Sequence, residues 1–287
     1  MHDTATVKLF LTKGSPTSVR TAEISNWTGK AVAGPRSQIE DVLKREEATN
    51  PGVYFLSGIN PETGKERVYI GEAEVIRERI KQHLGKDFWK SIVFFVSKDG
   101  NLTKAHIKYL EGKLIRKAKE AGRVELENSQ ASGSHLPESD AADMDIFLYR
   151  MEQLLPILGQ DFLKPISGEH NKKGKSDLLF CDLKSKDVHA KGQLSENGLV
   201  VFKGSQAVLE EKPSTKRFPY ALRLREQLKE EGVLIEKDGK LIFARDYEFS
   251  SPSAAASVIY GRNANGLESW RDGKGVSLKD KEKKEIS

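Results

Sequence analysis

Apolar residues in the first third of the chain form several short runs of the kind that build strands. Residues 53–56 and 67–70 are two such runs, and the turn-forming residues 60–64 lie between them. Because Asn, Pro and Gly favour tight connections, this spacing predicts a β-hairpin. Residues 7–11 and 92–96 have the composition of two further strands.

Other segments carry apolar side chains three or four residues apart, which indicates amphipathic helices. The pattern is clearest in residues 103–121, where we expect a long helix that ends at Gly122. It also predicts helices over residues 37–47, 73–84 and 144–158.

The second half of the chain begins with the polar segment 167–176, rich in Gly, Lys and Asn, which favours a linker. Two single strands, a hairpin and two helices are predicted after it, over residues 178–183, 199–202, 233–243, 219–231 and 252–261.

These patterns divide the chain into five predicted regions. They are an N-terminal strand and helix extension (1–50), a first folded domain (51–130), a loop, helix and linker (131–176), a C-terminal α+β domain (177–272) and a charged, disordered tail (273–287).

Composition narrows the class of protein. Cys181 is the only cysteine, which excludes a disulfide scaffold and zinc sites that need paired thiolates. Apolar runs fall far short of the ~20 residues that span a bilayer, and the N-terminus lacks the pattern of a secretory signal. We therefore expect an intracellular, cytoplasmic protein without a membrane partner. The net charge of +5 is compatible with a polyanionic partner.

Glu111 occupies an unexpected position in the helix predicted over 103–121. It lies four residues after Ile107 and four before Ile115, on the strip that faces the core. A carboxylate there is desolvated unless a cation meets it. Either an ion pair within this Lys-rich helix or a bound metal ion would satisfy it.

Four further side chains suit phosphodiester chemistry. Tyr54 and Tyr69 lie in the predicted hairpin, and Arg79 and His83 are four residues apart beside the apolar strip of the next helix. Arginine can hold a phosphate with its planar fork, and a phenol whose pKa neighbouring cations lower from ~10 can take a proton from water. Taken singly, strand tyrosines are more often packing residues.

The order of these residues resembles the signatures of the GIY-YIG nuclease superfamily. The matching positions are Gly52–Val53–Tyr54, Tyr69–Ile70–Gly71, Arg79, His83, Glu111 and Asn128. Val53 stands in place of the usual isoleucine, and Glu72 stands where the family's repair enzymes carry lysine.

This resemblance implies an α+β fold in which a small antiparallel sheet is flanked by helices, with residues 51–130 as the nuclease domain. It further implies an endonuclease that cuts DNA and holds Mg²⁺ or Mn²⁺ at Glu111. Either Tyr54 or Tyr69 would be the general base, Arg79 and His83 would complete the catalytic set, and Asn128 would help to hold the site.

The C-terminal region resembles a domain of uncharacterised function that often follows GIY-YIG modules. The matching stretches are residues 198–205 and 249–256, followed by Gly261, Asn265, Gly266 and Trp270. We interpret these residues chiefly as packing residues, with a small-residue helix on a sheet and Trp270 in the core. A domain that binds DNA or reads modified bases is the alternative.

Two functions from different classes remain at this point. The first is a metal-dependent DNA endonuclease. The second is a non-cleaving DNA-binding or interaction protein built on the same scaffold. RNA is not excluded as a substrate, since no residue here distinguishes a 2′-hydroxyl.

Overall fold

The computed structural model describes residues 4–128, 133–164, 178–210 and 219–285. The chain divides into two units, Met1–Pro165 and Ile166–Ser287. Each unit combines antiparallel sheet with helices, so the predicted α+β class is confirmed. The predicted linker over 167–176 lies outside the described residues.

The N-terminal unit is built on a seven-stranded sheet in the order β1-β2-β3-β6-β4-β5-β7. Its strands are β1 (Val7–Leu11), β2 (Arg20–Ile24), β3 (Gly29–Pro35), β4 (Gly52–Ile59), β5 (Glu66–Ala73), β6 (Trp89–Ser97) and β7 (Glu125–Leu126). Its helices are α1 (Ile39–Leu43), α2 (Ile76–Lys81), α3 (Lys104–Ala121) and α4 (Glu138–Leu154). Neighbouring strands are antiparallel, apart from the parallel pair β5 and β7.

The hairpin β4–β5 is confirmed, and its alternating side chains divide the unit into two layers. Val53 and Phe55 face a core that α3 and α4 cover. Tyr54 and Leu56 face the opposite core, which α1 and α2 cover. The sheet therefore separates α3 from α2, because successive side chains of a strand point to opposite faces.

The sequence predicted an N-terminal extension over 1–50, but the strands of this region belong to the main sheet. β3 pairs with β6 along its whole length, which makes β1, β2 and β3 part of the same sheet as the hairpin. Sequence patterns miss β2 and β3 because their buried positions hold small residues such as Ala22, Ala31 and Ala33 instead of β-branched or aromatic ones. Packing under α4, rather than intrinsic propensity, stabilises these strands.

The long helix α3 ends where the sequence predicts. Its N-cap Thr103 accepts a hydrogen bond from the His106 amide, and Gly122 closes the helix at φ 62°. In contrast, α2 covers only part of the predicted 73–84 helix, and a turn follows it. α4 begins six residues before Met144, where the sequence predicted its start. Its first turns are polar and lack the spacing of apolar residues that indicates a helix.

The C-terminal unit contains two sheets and four helices among its described residues. Its strands are β8 (Leu179–Leu183), β9 (Val188–Ser195), β10 (Gly198–Val201), β11 (Gln206–Val208), β12 (Leu234–Lys237), β13 (Lys240–Phe243), β14 (Tyr247–Phe249) and β15 (Arg271–Asp272). The sheet orders are β14-β10-β9-β8-β15 and β11-β13-β12. The helices are α5 (Pro219–Glu230), α6 (Pro252–Tyr260), α7 (Gly266–Ser269) and α8 (Leu278–Glu285).

α6 and Trp270 pack as the sequence predicts. The Ser251 hydroxyl accepts a hydrogen bond from the Ala254 amide, with Pro252 in the first turn. Trp270 is fully buried, and its indole Nε1 donates to the Pro252 carbonyl at 3.1 Å. Gly266 lies so close to Pro252 that a Cβ would collide with its backbone.

The sequence predicted a disordered tail over 273–287, but the structure contains the helix α8 in this segment. Leu278, the first residue of α8, is buried in the core of the C-terminal unit. Lys281 forms an ion pair with Asp272 at 3.0 Å, which ties α8 to β15. The burial of Leu278 and the ion pair of Lys281 thus anchor a segment whose composition alone favours disorder.

Among the described residues, none of the helices combines the length and the apolar character that a membrane crossing requires.

Replacing Trp270 with alanine should strongly destabilise the C-terminal unit. Removing a fully buried tryptophan leaves a cavity and costs about 3–5 kcal/mol of unfolding free energy. Urea unfolding of the full chain, followed by circular dichroism, measures this loss. Leu194→Ala is the control, because Leu194 is 48% exposed in the same unit. Equal losses in both variants would contradict the packing role of Trp270.

Candidate functional site

Tyr54 and Tyr69 come together because of the register of β4 and β5. Tyr54 lies opposite Gly71, and Tyr69 lies opposite Leu56, so both rings stand on the α2 face of the sheet. Their centroids are 5.9 Å apart and their planes differ by 22°. Gly71 makes this possible, since a Cβ there would lie 2.5 Å from the Tyr54 Cζ and Oη atoms.

His83 follows α2 and contacts both tyrosines. Its Nε2 lies 2.9 Å from the Tyr54 hydroxyl, and its ring centroid is 4.8 Å from that of Tyr69. Trp89 holds the residue in place by donating its indole N–H to the His83 carbonyl at 3.1 Å. The imidazole is 5% exposed, so its environment is largely that of the core.

Burial controls the protonation of these groups. It raises the pKa of Tyr54 above that of an ordinary phenol; Tyr69 adds to the rise and Arg79 opposes it. Of the two tyrosines that the sequence left open as the general base, Tyr54 therefore does not have a lowered pKa, because desolvation outweighs the nearby cation. Burial, with smaller effects from Lys86 and Arg79, lowers the pKa of His83 to about 4, so the imidazole is neutral at pH 7.

The neutral imidazole has two tautomers, and its surroundings select one. His83 Nδ1 is buried and has no hydrogen-bond partner in the part of the chain that the structure describes. An unpartnered acceptor is more readily tolerated than an unpartnered buried N–H. We therefore assign the ring proton to Nε2, which donates it to the Tyr54 oxygen.

Arg79 lies in α2 at the exposed side of the cluster, where its Nη1 donates to Gln82 Oε1 at 2.8 Å. Burial by itself would lower the pKa of Arg79, but hydrogen bonding and charge interaction with the Tyr54 and Tyr69 hydroxyls raise it overall. The guanidinium thus remains charged beside both phenols and accessible from solvent. The structure brings Tyr54, Tyr69, Arg79 and His83 together.

Glu111 occupies a different layer of the unit. The carboxylate is 9% exposed, which agrees with the predicted core-facing position. However, α3 packs on the face that carries Val53 and Phe55, whereas the tyrosines lie on the other face. Any shared role for Glu111 and the tyrosines would involve the edge of β5. That edge is near the start of α3, where Lys104 pairs with Glu72 at 2.8 Å.

Asn128 binds the backbone of β5 between the second tyrosine and Gly71. Its Oδ1 accepts from the Ile70 N–H at 3.0 Å, and its Nδ2 donates to the Ile70 carbonyl at 2.5 Å. β7 pairs with β5 at Arg67 and Val68, and the Asn128 amide extends this pairing along β5 to Ile70. Asn128 holds the strand that carries Tyr69.

Two cations that sequence reasoning missed also shape the cluster. Lys86 Nζ lies 5.0 Å from the centre of the Tyr69 ring. Arg36 clamps the loop after His83, with hydrogen bonds to the carbonyls of Leu84 at 2.7 Å, Trp89 at 3.3 Å and Lys86. Nothing in the local pattern indicates either residue, because Arg36 acts across about fifty positions of the chain.

The side chains near Glu111 show which kind of divalent metal site this region could form. In the described ranges, no three His, Cys, Asp or Glu side chains gather to hold a metal ion. Mg²⁺ is commonly bound by one or two carboxylates, completed by water and substrate phosphates. A single buried carboxylate fits that mode of binding, and does not fit a metal cage made by protein alone.

The pKa of His83 gives a direct test of the cluster. We expect its imidazole to titrate near pH 4 by NMR, assigned with His83→Gln. His189 is the internal control, because hydrogen bonds to Asp182 and Asp187 raise its pKa.

The same shift predicts how stability depends on pH. The unfolded chain takes up this proton near pH 6.5, before the folded chain does, so His83 stabilises the fold fully above about pH 6.5. That contribution is lost as the pH falls toward 4. Titration of His83 near 6.5 would show that the imidazole is solvated instead of packed against Tyr54.

Arg36→Ala should loosen the loop that carries His83 and Lys86. Charged hydrogen bonds contribute about 1.5–3 kcal/mol, so we expect amide exchange of Leu84 and Lys86 to accelerate at least tenfold. Hydrogen exchange resolved by residue measures this effect. Arg45→Ala is the matched control, because the Arg45 side chain pairs with Glu47 and not with the loop. Unchanged exchange in Arg36→Ala would show that the clamp does not hold the loop.

Comparison with known proteins bears on the C-terminal unit. A family profile described as a domain of unknown function (DUF4357) matches residues 179–282. This match agrees with the resemblance of the C-terminal region to an uncharacterised domain. No curated protein and no solved structure matches the chain. The matched region begins at β8 and ends within α8, so the similarity covers most of the C-terminal unit.

Proposed function

We propose that the N-terminal unit is a GIY-YIG-type endonuclease that hydrolyses phosphodiester bonds in DNA with the help of Mg²⁺ or Mn²⁺. The observation that supports this most directly is the cluster on the α2 face. Tyr54 and Tyr69 stack there, with Arg79 at their hydroxyls and His83 bonded to Tyr54. A packing role alone does not require a guanidinium beside two phenols.

Arg79 binds the scissile phosphate in this mechanism. Its side chain is exposed, charged and anchored by Gln82, so its planar fork can meet two phosphate oxygens. Lys86 adds a second cation at the Tyr69 ring. Together they stabilise the negative charge that builds on the phosphate during attack.

Tyr69 is the stronger choice for the general base. Tyr54 is completely buried and burial raises its pKa, so it keeps its proton at neutral pH. Tyr69 is only partly buried, so water can reach it, and it has Arg79 at its hydroxyl and Lys86 at its ring. In its phenolate form, Tyr69 takes a proton from water as the water oxygen bonds to phosphorus, and the leaving oxygen departs with the electron pair of the broken P–O bond. Tyr54 and His83 hold Tyr69 in position.

Glu111 is the residue that would hold the divalent ion. When bound, Mg²⁺ or Mn²⁺ supplies a Lewis acid that neutralises charge on a phosphate oxygen and on the leaving group. Glu111 lies behind β5 relative to the tyrosines, so the proposal places the substrate at the edge of β5. Asn128 holds this strand at Ile70, and the ion pair of Lys104 with Glu72 holds α3 against it.

Cleavage assays test these roles. We expect the full chain to nick supercoiled plasmid or branched DNA with Mg²⁺ or Mn²⁺, and EDTA to stop it. Tyr69→Phe, Arg79→Ala and Glu111→Gln should each lower the rate by about 10²-fold or more. Tyr54→Phe should lose less. Lys81→Ala is the matched control, because Lys81 is an exposed cation on α2 that pairs with Glu78.

The outcomes separate the two functions that the sequence left open. Full activity in Tyr69→Phe or Arg79→Ala would reject the mechanism. Binding of DNA without cleavage, across both metals and several substrates, would favour the non-cleaving DNA-binding protein. Faster cleavage of matched RNA than of DNA would assign RNA as the substrate.

A further inference from the structure

The C-terminal unit contains an open cleft of about 910 Å³. It lies between the loop that follows α6 and the neighbouring strands β8 and β15. Pockets that bind small ligands commonly measure about 300–1,000 Å³, so the cleft has room for a ligand of ordinary size. Its walls carry charged, amide and aromatic groups, which decide what it can bind.

The carboxylates that line the cleft are already engaged by cations or imidazole outside it. Each forms one short contact, and this lowers the negative charge that the cleft presents. The pairs are Asp182 with His189 at 3.0 Å, Asp272 with Lys281 at 3.0 Å, and Glu268 with Lys279 at 2.6 Å.

Three cations line the cleft, and one of them, Arg271, donates to the Gly275 carbonyl at 2.9 Å. Among the described residues, neither Lys184 nor Arg262 forms an ion pair with a carboxylate. The Arg262 Nε atom is buried and lacks a hydrogen-bond partner in the same described part of the chain. That atom is out of reach of a ligand in the cleft, but an anion there would meet two positive charges that no carboxylate of the described residues neutralises.

The loop that carries Arg262 is held firmly. Gly261 ends α6 at φ 56°, and the Arg262 N–H then donates to the Ser257 carbonyl at 3.3 Å. The Ser257 hydroxyl accepts from Ala264 N–H at 3.1 Å. These bonds fix the backbone on both sides of the exposed Asn263, whose amide also lines the cleft. The donors are therefore positioned before a ligand binds.

Aromatic rings form another part of the lining. Tyr260 is 8% exposed, and its hydroxyl donates to the Asp182 carbonyl at 3.1 Å, which fixes its ring. The Arg262 guanidinium lies 5.7 Å from the centre of that ring. Phe180 lines the same cleft and is only partly buried. Phe180 is therefore the ring of this cleft on which a nucleobase could stack.

We propose that this cleft binds a nucleotide, with its phosphate on Arg262 and Lys184, its base against Phe180, and the Asn263 amide on a base edge. The shared chemistry is a phosphate joined to an aromatic base, presented by a DNA strand or by a free nucleotide. The cleft belongs to the C-terminal unit alone, so the proposal goes beyond phosphodiester cleavage and does not depend on it.

Binding to the full chain in EDTA tests the proposal without cleavage. A short fluorescein-labelled single strand is followed by anisotropy, with dAMP as competitor, in the wild-type and Arg79→Ala backgrounds. Arg262→Ala should raise Kd about tenfold and reduce the salt slope by about one counterion. Lys184→Ala, which removes an exposed side chain, should also weaken binding, whereas Arg262→Lys should retain part of it.

Lys237→Ala is the matched control, because Lys237 is an exposed cation on β12 outside the cleft. Competition by dAMP that Arg262→Ala abolishes would assign a free-nucleotide site, whereas loss of strand binding alone would assign a strand site. If Arg262→Ala and Lys184→Ala bind both probes as Lys237→Ala does, the proposal is overturned. Cleavage that Arg79→Ala abolishes while this binding persists would separate the two proposals.

Discussion

The antiparallel pairing that sets Tyr54 opposite Gly71 is the constraint on which the N-terminal site depends. Because Gly71 has no side chain, the Tyr54 ring fills that space and stacks against Tyr69. His83 then meets the buried hydroxyl from the other side. The burial that assembles this cluster also keeps Tyr54 protonated and His83 neutral, so geometry and protonation have the same origin.

The tyrosine strands lie inside a sheet that extends well beyond the hairpin. β3 pairs with β6, which pairs with β4, so the N-terminal strands support the strand that carries Tyr54. Arg36 follows β3 directly and donates to the carbonyls of Leu84 and Lys86 in the loop after His83, and to that of Trp89 at the start of β6. The region predicted as an extension therefore contributes directly to the position of His83 and Lys86.

In the C-terminal unit, the residues that carry the family resemblance are mainly packing residues. Trp270 is fully buried, and Gly266 allows close contact with Pro252. The groups that remain available for a ligand, Arg262 and Asn263, lie just before Gly266 in the chain. Tight packing and binding are thus compatible here, because the packed residues fix the loop that presents the donors.

Local sequence patterns by themselves determined the hairpin, the length of α3 with its end at Gly122, and the core-facing position of Glu111, and the family resemblance implied the α+β class. Tertiary structure decided the rest. It placed the N-terminal strands in the sheet, anchored α8 through Leu278, and raised the pKa of Tyr54 instead of lowering it. It also put Glu111 and the tyrosines on opposite faces. Burial and layer depend on neighbours that are distant in the chain, and no local pattern records them.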